Sequence, residues 1–305
     1  MTLTTLKEVL AKADKGGYAV GAFNTCNLEI TKAIVLGAEA QNSPVIIETA
    51  QHELDYAGFE FLACIAKRAC ESMEVPAVLH LDHATDLNTV KKAIAAGYSS
   101  VMFDGSHFPF EKNVSLTKQV VELAHSKGIS VEGELGTIGG AGENAAKDIV
   151  LTDPQKAKEF VELTGVDALA VAIGTSHGAY KFTDPNAELD IKRLTAIKKI
   201  TQMPLVLHGA STVPRDVIDL SQRFGALLGT VRGVNEKELK RAVKSGINKV
   251  NTGTDLRLAF TAALRETLMS SPREFDPRKI LPPSIELMQR VVENKIKLLG
   301  SAGKA

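Results

Sequence analysis

PAVLHLDHATD, residues 76–86, is an apolar run that opens on a proline and closes on Asp82 and His83. Two more runs end in the same way. ALAVAIGTSHG, residues 168–178, leads to His177, and PLVLHGAS, residues 204–211, leads to His208. Short apolar runs bounded by Pro, Gly or polar residues read as buried strands. Five further runs have this form: YAVGAFN (18–24), PVIIETA (44–50), SSVMFDG (99–105), ISVEGELG (129–136) and INKVNTG (247–253). Between them lie segments of helical periodicity, among them LEITKAIVLGAEAQ, DLNTVKKAIAAG, EKNVSLTKQVVELAHSKG, PQKAKEFVELTG and NEKELKRAVKSG. Several close on a glycine, the expected C-cap. Strands alternating with helices imply a parallel sheet, and eight strands imply a single (β/α)8 TIM barrel, an α/β fold. An open doubly wound sheet is the alternative, but GYAVGAFN lacks the GxGxxG that such a sheet usually carries after its first strand.

The chain has 305 residues, is 44% hydrophobic, and balances 36 Lys+Arg against 36 Asp+Glu. Zero net charge offers nothing to nucleic acid or to an anionic membrane, and no apolar run is long enough to span a bilayer. The first residues, MTLTTLKEVLAKADKGG, form an amphipathic helix without the apolar core of a signal peptide, so a soluble cytoplasmic protein is expected. The three cysteines, Cys26, Cys64 and Cys70, make no CxxC pair and no disulfide framework. Residues 1–305 are expected to form one barrel domain, with 266–305 as a C-terminal helical tail that packs on the barrel or on a neighbouring subunit.

Barrel chemistry sits at the C-terminal ends of the strands. Asn24, Asp82–His83, Asp104, Glu134, His177, His208 and Asn251 all fall there. Three imidazoles plus an open position make a catalytic zinc site, and Asp82 beside them is the expected acid/base. Asp104 and Glu134 either orient the histidines or hold an alternative metal position. His80 is expected to support the site, while His52, His107 and His125 are read as ordinary structural residues. Glycine-rich segments follow strands six to eight, and barrels hold phosphate in the loops after strands seven and eight. Ser211, Thr252 and Thr254 supply hydroxyls there. A zinc that polarises a carbonyl, beside a carboxylate that moves a proton, implies retro-aldol cleavage of a ketose 1-phosphate.

HLDHATD, SVMFDGSH, VEGELGTIGG, AIGTSHGAYKF, PLVLHGAS, KVNTGTDLRLAF and FDPRKIL together resemble, in order and over essentially the whole chain, the class II (zinc-dependent) ketose-bisphosphate aldolases. The resemblance implies zinc on His83, His177 and His208, a second divalent metal on Asp104 and Glu134, and Asp82 as proton carrier at the C4 hydroxyl. It assigns the dihydroxyacetone-phosphate half to Gly178, to Gly209, Ala210 and Ser211, and to Asn251, Thr252, Gly253 and Thr254, with a monovalent cation (Na+ or K+) nearby. Asn24 is placed with the substrate-binding residues. The implied reaction is reversible cleavage of fructose 1,6-bisphosphate, by a homodimer or homotetramer.

Three positions depart from the family pattern. Gly253 stands where NTDTD motifs carry Asp, Ala50 where Ser or Thr is common, and Gly142 where a loop Glu usually lies. Glu143, one residue on, is the expected second proton carrier. Arg257 and Arg278 suit the distal phosphate through guanidinium chemistry. Tagatose 1,6-bisphosphate or another ketose 1-phosphate is the alternative substrate. A Schiff-base aldolase built on Lys249 and a metal-dependent sugar-phosphate epimerase or hydrolase are the competing enzyme classes.

Overall fold

The computed structural model describes residues 3–138, 150–177 and 188–305. Helix α1 (Leu6–Gly16) precedes the first strand, β1 (Val20–Asn24), which leads through α2 (Leu28–Ala40) to β2 (Val45–Ala50). Two helices follow, α3 (Gln51–Ala57) and α4 (Phe59–Ser72), then β3 (Ala77–Ala84), α5 (Leu87–Ala96), β4 (Ser100–Phe103), α6 (Phe110–His125) and β5 (Ser130–Leu135). The second half runs α7 (Pro154–Thr164), β6 (Ala168–Val171), α8 (Ile191–Thr201), β7 (Leu205–Leu207), α9 (Arg215–Arg223), α10 (Glu236–Lys244) and β8 (Ile247–Thr252). Helices α11 (Thr254–Ser270), α12 (Pro277–Ile280) and α13 (Pro282–Leu299) end the chain. The eight strands pair in parallel and in sequence order, with β8 returning to β1 to close the barrel.

All eight strands lie where the apolar runs place them, and local chemistry fixes the helix ends. Asp86 accepts from the Asn88 and Thr89 amides to start α5, and Asp153 does so from Lys156 ahead of Pro154 in α7. Gly97 and Gly165 close these two helices in the left-handed region. Three strands are shorter than their apolar runs. Asp104, His177 and His208 therefore stand in the loops just beyond β4, β6 and β7. Helix α11 runs across residue 266 to Ser270, and a helical extension follows it. Its last helix, α13, packs on α2 and α11 and buries Leu287, Met288, Val291, Val292, Ile296 and Leu299.

Alternation along the strands sorts side chains into two cores. Phe23, Ile47, Leu79, Val101, Leu169 and Leu205 face outward, under the helices. Val20, Ala22, Ile46, Val78, Met102, Ala168, Ala170 and Val206 face inward, and α1 lays Leu6, Val9, Leu10 and Ala13 against them. That helix packs on β1, β3, β5 and β8 and so closes the N-terminal floor of the barrel. Above this apolar floor comes a layer of titratable side chains: Glu48, His80, Glu132 and Lys249, all fully buried. Among the described residues no helix is long and apolar enough to cross a membrane.

Strict alternation fails at two places. The β3–β4 register passes from Leu81↔Val101 to Ala84↔Phe103, so β3 carries one extra residue there, with His83 at φ 48°. The bulge lets the consecutive residues Asp82 and His83 both serve the barrel mouth. In β8 the register jumps from Ile247 to Lys249, which skips Asn248 and turns Lys249 inward. Asn248 uses its Oδ1 to accept from the Leu205 amide at 3.4 Å.

Replacing Leu10 with Ala should destabilise the protein by about 2–5 kcal/mol, the usual cost of truncating a fully buried leucine. Denaturant unfolding measures it, and a loss under about 1 kcal/mol would mean that α1 does not seal the floor.

Candidate active site

Strand ends and loops meet at the C-terminal mouth around a cleft of about 380 Å³. Its centre is histidine. The ligand-competent atoms of His83, His177 and His208 lie within 4.8 Å of one another, and those of His83, Asp104 and Glu134 form a second group of the same span. The His83 ring stands edge-on to the other two, with centroids 5.0 Å from His177 and 4.5 Å from His208.

Carboxylates orient these rings. His83 Nδ1 is 2.8 Å from Asp104 Oδ2, and Ser106 fixes the other Asp104 oxygen through its amide and hydroxyl. His208 Nε2 is 2.8 Å from Glu132 Oε1, while its Nδ1 faces Glu134 Oε2 at 3.3 Å. His83 Nε2 is buried without a hydrogen-bond partner, while the buried His208 Nδ1 and Glu134 Oε2 face each other. Ligand-competent atoms gathered within 4.8 Å of one another, imidazole nitrogens among them, fit a bound divalent cation.

Asp82 is held at both oxygens: Asn24 Nδ2 donates to Oδ2 at 3.2 Å and Asn251 Nδ2 donates to Oδ1 at 3.1 Å. Burial would raise its carboxyl, but His83, His208 and Lys249 overcome this and hold it well below the usual carboxylate range. Asp82 is thus an ionised base. Burial likewise opposes protonation of His83 and His208, yet the surrounding carboxylates prevail. His83 is raised to about 10, chiefly by Asp82 and Asp104, and His208 to about 9, by Glu132 and Glu134. The site is a nest of negative charge that holds protons when no metal is there.

Beneath it, Lys249 Nζ lies 2.9 Å from Glu132 and 3.4 Å from Glu48. Burial lowers the lysine, but both carboxylates raise it above its ordinary value, so it stays an ammonium. A Schiff-base lysine needs the opposite shift. His80 donates or accepts at Ser100 through Nδ1 (2.9 Å) and is pushed down to about 3 by burial and Lys249, which makes it neutral. It supports the site without ligating the His83 group.

The other expected site residues divide. Gly209, Ser211, Gly253, Thr254 and Arg257 line the cleft, as does Ala50. Ala210 and Thr252 are fully buried beneath that lining. Gly178, Gly142 and Glu143 lie outside the described residues. Arg278 departs from expectation: its side chain is 89% exposed on α12, forks onto Asp276, and is absent from the cleft of its own chain. His52, read as structural, in fact lines the cleft. Glu53 and Ser106 were not anticipated there. Glu53 accepts from the Ala50 amide at 2.8 Å and approaches Asn24, and burial raises it to about 7. Its only signal in sequence was a glutamate three residues past strand two. Cys26 is half-buried, and its thiol is pushed up, chiefly by burial.

A closed (β/α)8 barrel with a three-histidine cluster and an ionised aspartate at its mouth fits a barrel enzyme with a site able to hold a metal ion. Comparison with known proteins narrows this. The family model "Fructose-bisphosphate aldolase class-II" matches residues 4–304. The chain is 47% identical to a fructose-bisphosphate aldolase of Thermus caldophilus, over 99% of this chain and 100% of that protein. It is 45% identical to one from Giardia intestinalis, over 100% and 95% respectively. Among solved structures, the YdjI aldolase of Escherichia coli K12 superposes with a TM-score of 0.82 at 31% identity, covering 99% of both chains. The chain belongs to the class II fructose-bisphosphate aldolase family, and it is therefore a lyase.

With His83 raised to about 10 and His208 to about 9, both metal-free rings carry protons at neutral pH that a metal must displace. Metal binding near pH 7 should release protons, and affinity should climb as the pH rises toward 9. The same shifts stabilise the metal-free fold below the ordinary histidine pKa of 6.5 and cease to do so as the pH passes through 9 to 10. Calorimetric zinc titration in buffers of different ionisation enthalpy reads the released protons; pH-independent binding without proton release would contradict this assignment.

Proposed function

We propose that this enzyme cleaves fructose 1,6-bisphosphate reversibly into dihydroxyacetone phosphate and glyceraldehyde 3-phosphate. One observation carries the proposal: the Asp82 carboxylate, pinned at both oxygens by Asn24 and Asn251, stands in the mouth where His83, His177 and His208 bring their ring nitrogens together. The family's relatives, named fructose-bisphosphate aldolases, point to the same reaction.

His83, His177 and His208 would hold zinc, and the Asp104–Glu134 pair with His83 would serve a second divalent position. When bound, zinc supplies a Lewis acid for the substrate carbonyl. Asp82 takes the proton from the C4 hydroxyl. The oxygen's electron pair then closes the aldehyde carbonyl as the C3–C4 bond breaks toward the dihydroxyacetone-phosphate half, and the reverse step returns the proton. Backbone amides of Gly209–Ser211 and the Gly253–Thr254 turn would grip the phosphate of that half, with a monovalent Na+ or K+ beside it. Arg257 serves the distal end. Glu143 is proposed as the proton carrier for the dihydroxyacetone-phosphate half. The whole chain acts as one catalytic unit, as a cytoplasmic homodimer or homotetramer.

Substrate preference turns on the aldehyde half. A Cβ at Gly253 would lie 2.9 Å from Asn24 Oδ1 and 3.0 Å from an Arg257 guanidinium nitrogen. The guanidinium can shift, whereas Asn24 is held by its bond to Asp82, and the backbone at φ −117° accepts any residue. An Asp there would pair with Arg257 at the cleft wall. Glycine leaves Arg257 freer, which suits either the fructose or the tagatose epimer; a single buried polar contact is worth about 1–3 kcal/mol.

In a coupled assay, cleavage of fructose 1,6-bisphosphate should vanish in EDTA and return with zinc; full turnover after prolonged chelation would rule out the metal mechanism. Asp82→Ala should retain zinc and lose cleavage by at least about 10²-fold, whereas near-normal turnover would remove Asp82 from the reaction. Gly253→Asp should raise the preference for fructose over tagatose 1,6-bisphosphate, and an unaltered ratio would show that this position does not select the epimer.

A further inference from the structure

The loop after β7 does not hold its shape alone. Gly209 at φ 61° comes so close to Ser176 that a Cβ would lie 2.4 Å from that residue's carbonyl oxygen. Four residues on, Val213 sits at φ 52°, a left-handed conformation that a β-branched side chain adopts only when its surroundings impose it. What imposes it is Asp255. Its Oδ1 accepts from the Val213 amide at 2.8 Å, and its Oδ2 accepts from the Thr212 amide at 3.1 Å and the Thr212 hydroxyl at 3.2 Å.

Asp255 belongs to the first turn of α11, directly after Gly253 and Thr254. One carboxylate therefore ties the loop after β7 to the start of α11, the two segments that bring Gly209, Ser211, Gly253 and Thr254 to the cleft. It is fully buried, and its counterion comes from the far end of the chain. Lys295 of α13 places Nζ 3.0 Å from Asp255 Oδ2 and donates to Thr212 Oγ1 at 2.9 Å, with a side chain only 3% exposed. A buried carboxylate stripped of its cation recovers its solvation by drawing in water or a proton. Either would loosen its hold on the Thr212 and Val213 amides.

We infer that Lys295 is a positioning residue for phosphate binding: acting through Asp255, the C-terminal helix sets the geometry of the two loops that grip the phosphate. This rests on the phosphate-loop reading above. Lys295 touches no substrate. Its contribution reaches the ligand through amides already aimed, in keeping with the rule that groups must be held within about 0.5 Å of the productive geometry.

The test compares zinc-loaded wild type with Lys295→Met. Calorimetry with dihydroxyacetone phosphate should show binding weakened about tenfold, with zinc stoichiometry unchanged because His83 and His177 lie on other segments and His208, at the start of the β7 loop, is held by Glu132 and Glu134. In steady state, KM should rise with kcat held within about twofold, the pattern of lost binding common to ground and transition states. Lys295→Arg, which keeps the charge, should recover most of the affinity. If the single variant does not fold, Asp255→Asn/Lys295→Met removes both buried charges and is measured instead, with the same weakening expected. A folded variant that binds dihydroxyacetone phosphate as tightly as wild type overturns the inference and leaves the phosphate loops intact. Wild type that shows no binding of this probe overturns the loop reading itself, and the inference with it.

Discussion

A buried ammonium organises the centre of this enzyme. Lys249 stands between Glu48 and Glu132 inside the barrel, and all three are closed to solvent. Its charge overrides the burial of Glu132 and holds that carboxyl at about 2. An ionised Glu132 can only accept, so the His208 nitrogen facing it must carry the hydrogen. That fixes which edge of the ring, Nδ1, is turned to the metal group. Burying such a pair is no bargain for stability, and burial leaves Glu48 raised to about 8 despite its neighbour. The layer makes sense as a device that sets a tautomer one level above it.

The barrel thus has a vertical order: an apolar floor sealed by α1, a charged middle, and a polar mouth. Two irregularities make the order possible. Without the skipped residue at Asn248, Lys249 would point outward among the helices. Without the extra residue in β3, either Asp82 or His83 would do so. The second costs backbone strain at His83, φ 48°, of a kind that accumulates where function demands it.

Much of this was legible in the sequence. Eight apolar runs with polar ends are a strong signal, because strand length, punctuation and the barrel's polarity rule all agree at each one. The mouth residues followed from that rule. The middle layer did not, although Glu48 and Lys249 are visible as lone charges inside PVIIETA and INKVNTG, and Glu132 as the first of two glutamates in ISVEGELG. A charge in such a run reads equally as facing in or out until the register is known, and in β8 the register contains the bulge that decides it. Lys249 was weighed only as a nucleophile, the one role its two carboxylates forbid. Asp255 and Lys295 left no trace either: they are forty residues apart on different helices, and their meeting is a property of packing alone. Where the Arg278 side chain would lie was equally illegible, since a motif match carries no information on where one chain's surface ends.

The floor has a consequence for how the molecule comes into being. Helix α1 precedes every strand it packs against, and β8, among those partners, is separated from it by most of the chain. During synthesis the plug emerges first and must wait for the last stave of the barrel before the inner apolar cluster can leave water. Local units such as α5 or α7 can form early, but ring closure is a contact between the two extremes of the sequence, the kind that slows folding and leaves greasy surface exposed in the interval. Chaperone demand in the cell should therefore track the time from α1 to β8, so a stalled ribosome late in the message would strand a nearly complete protein with its interior still open.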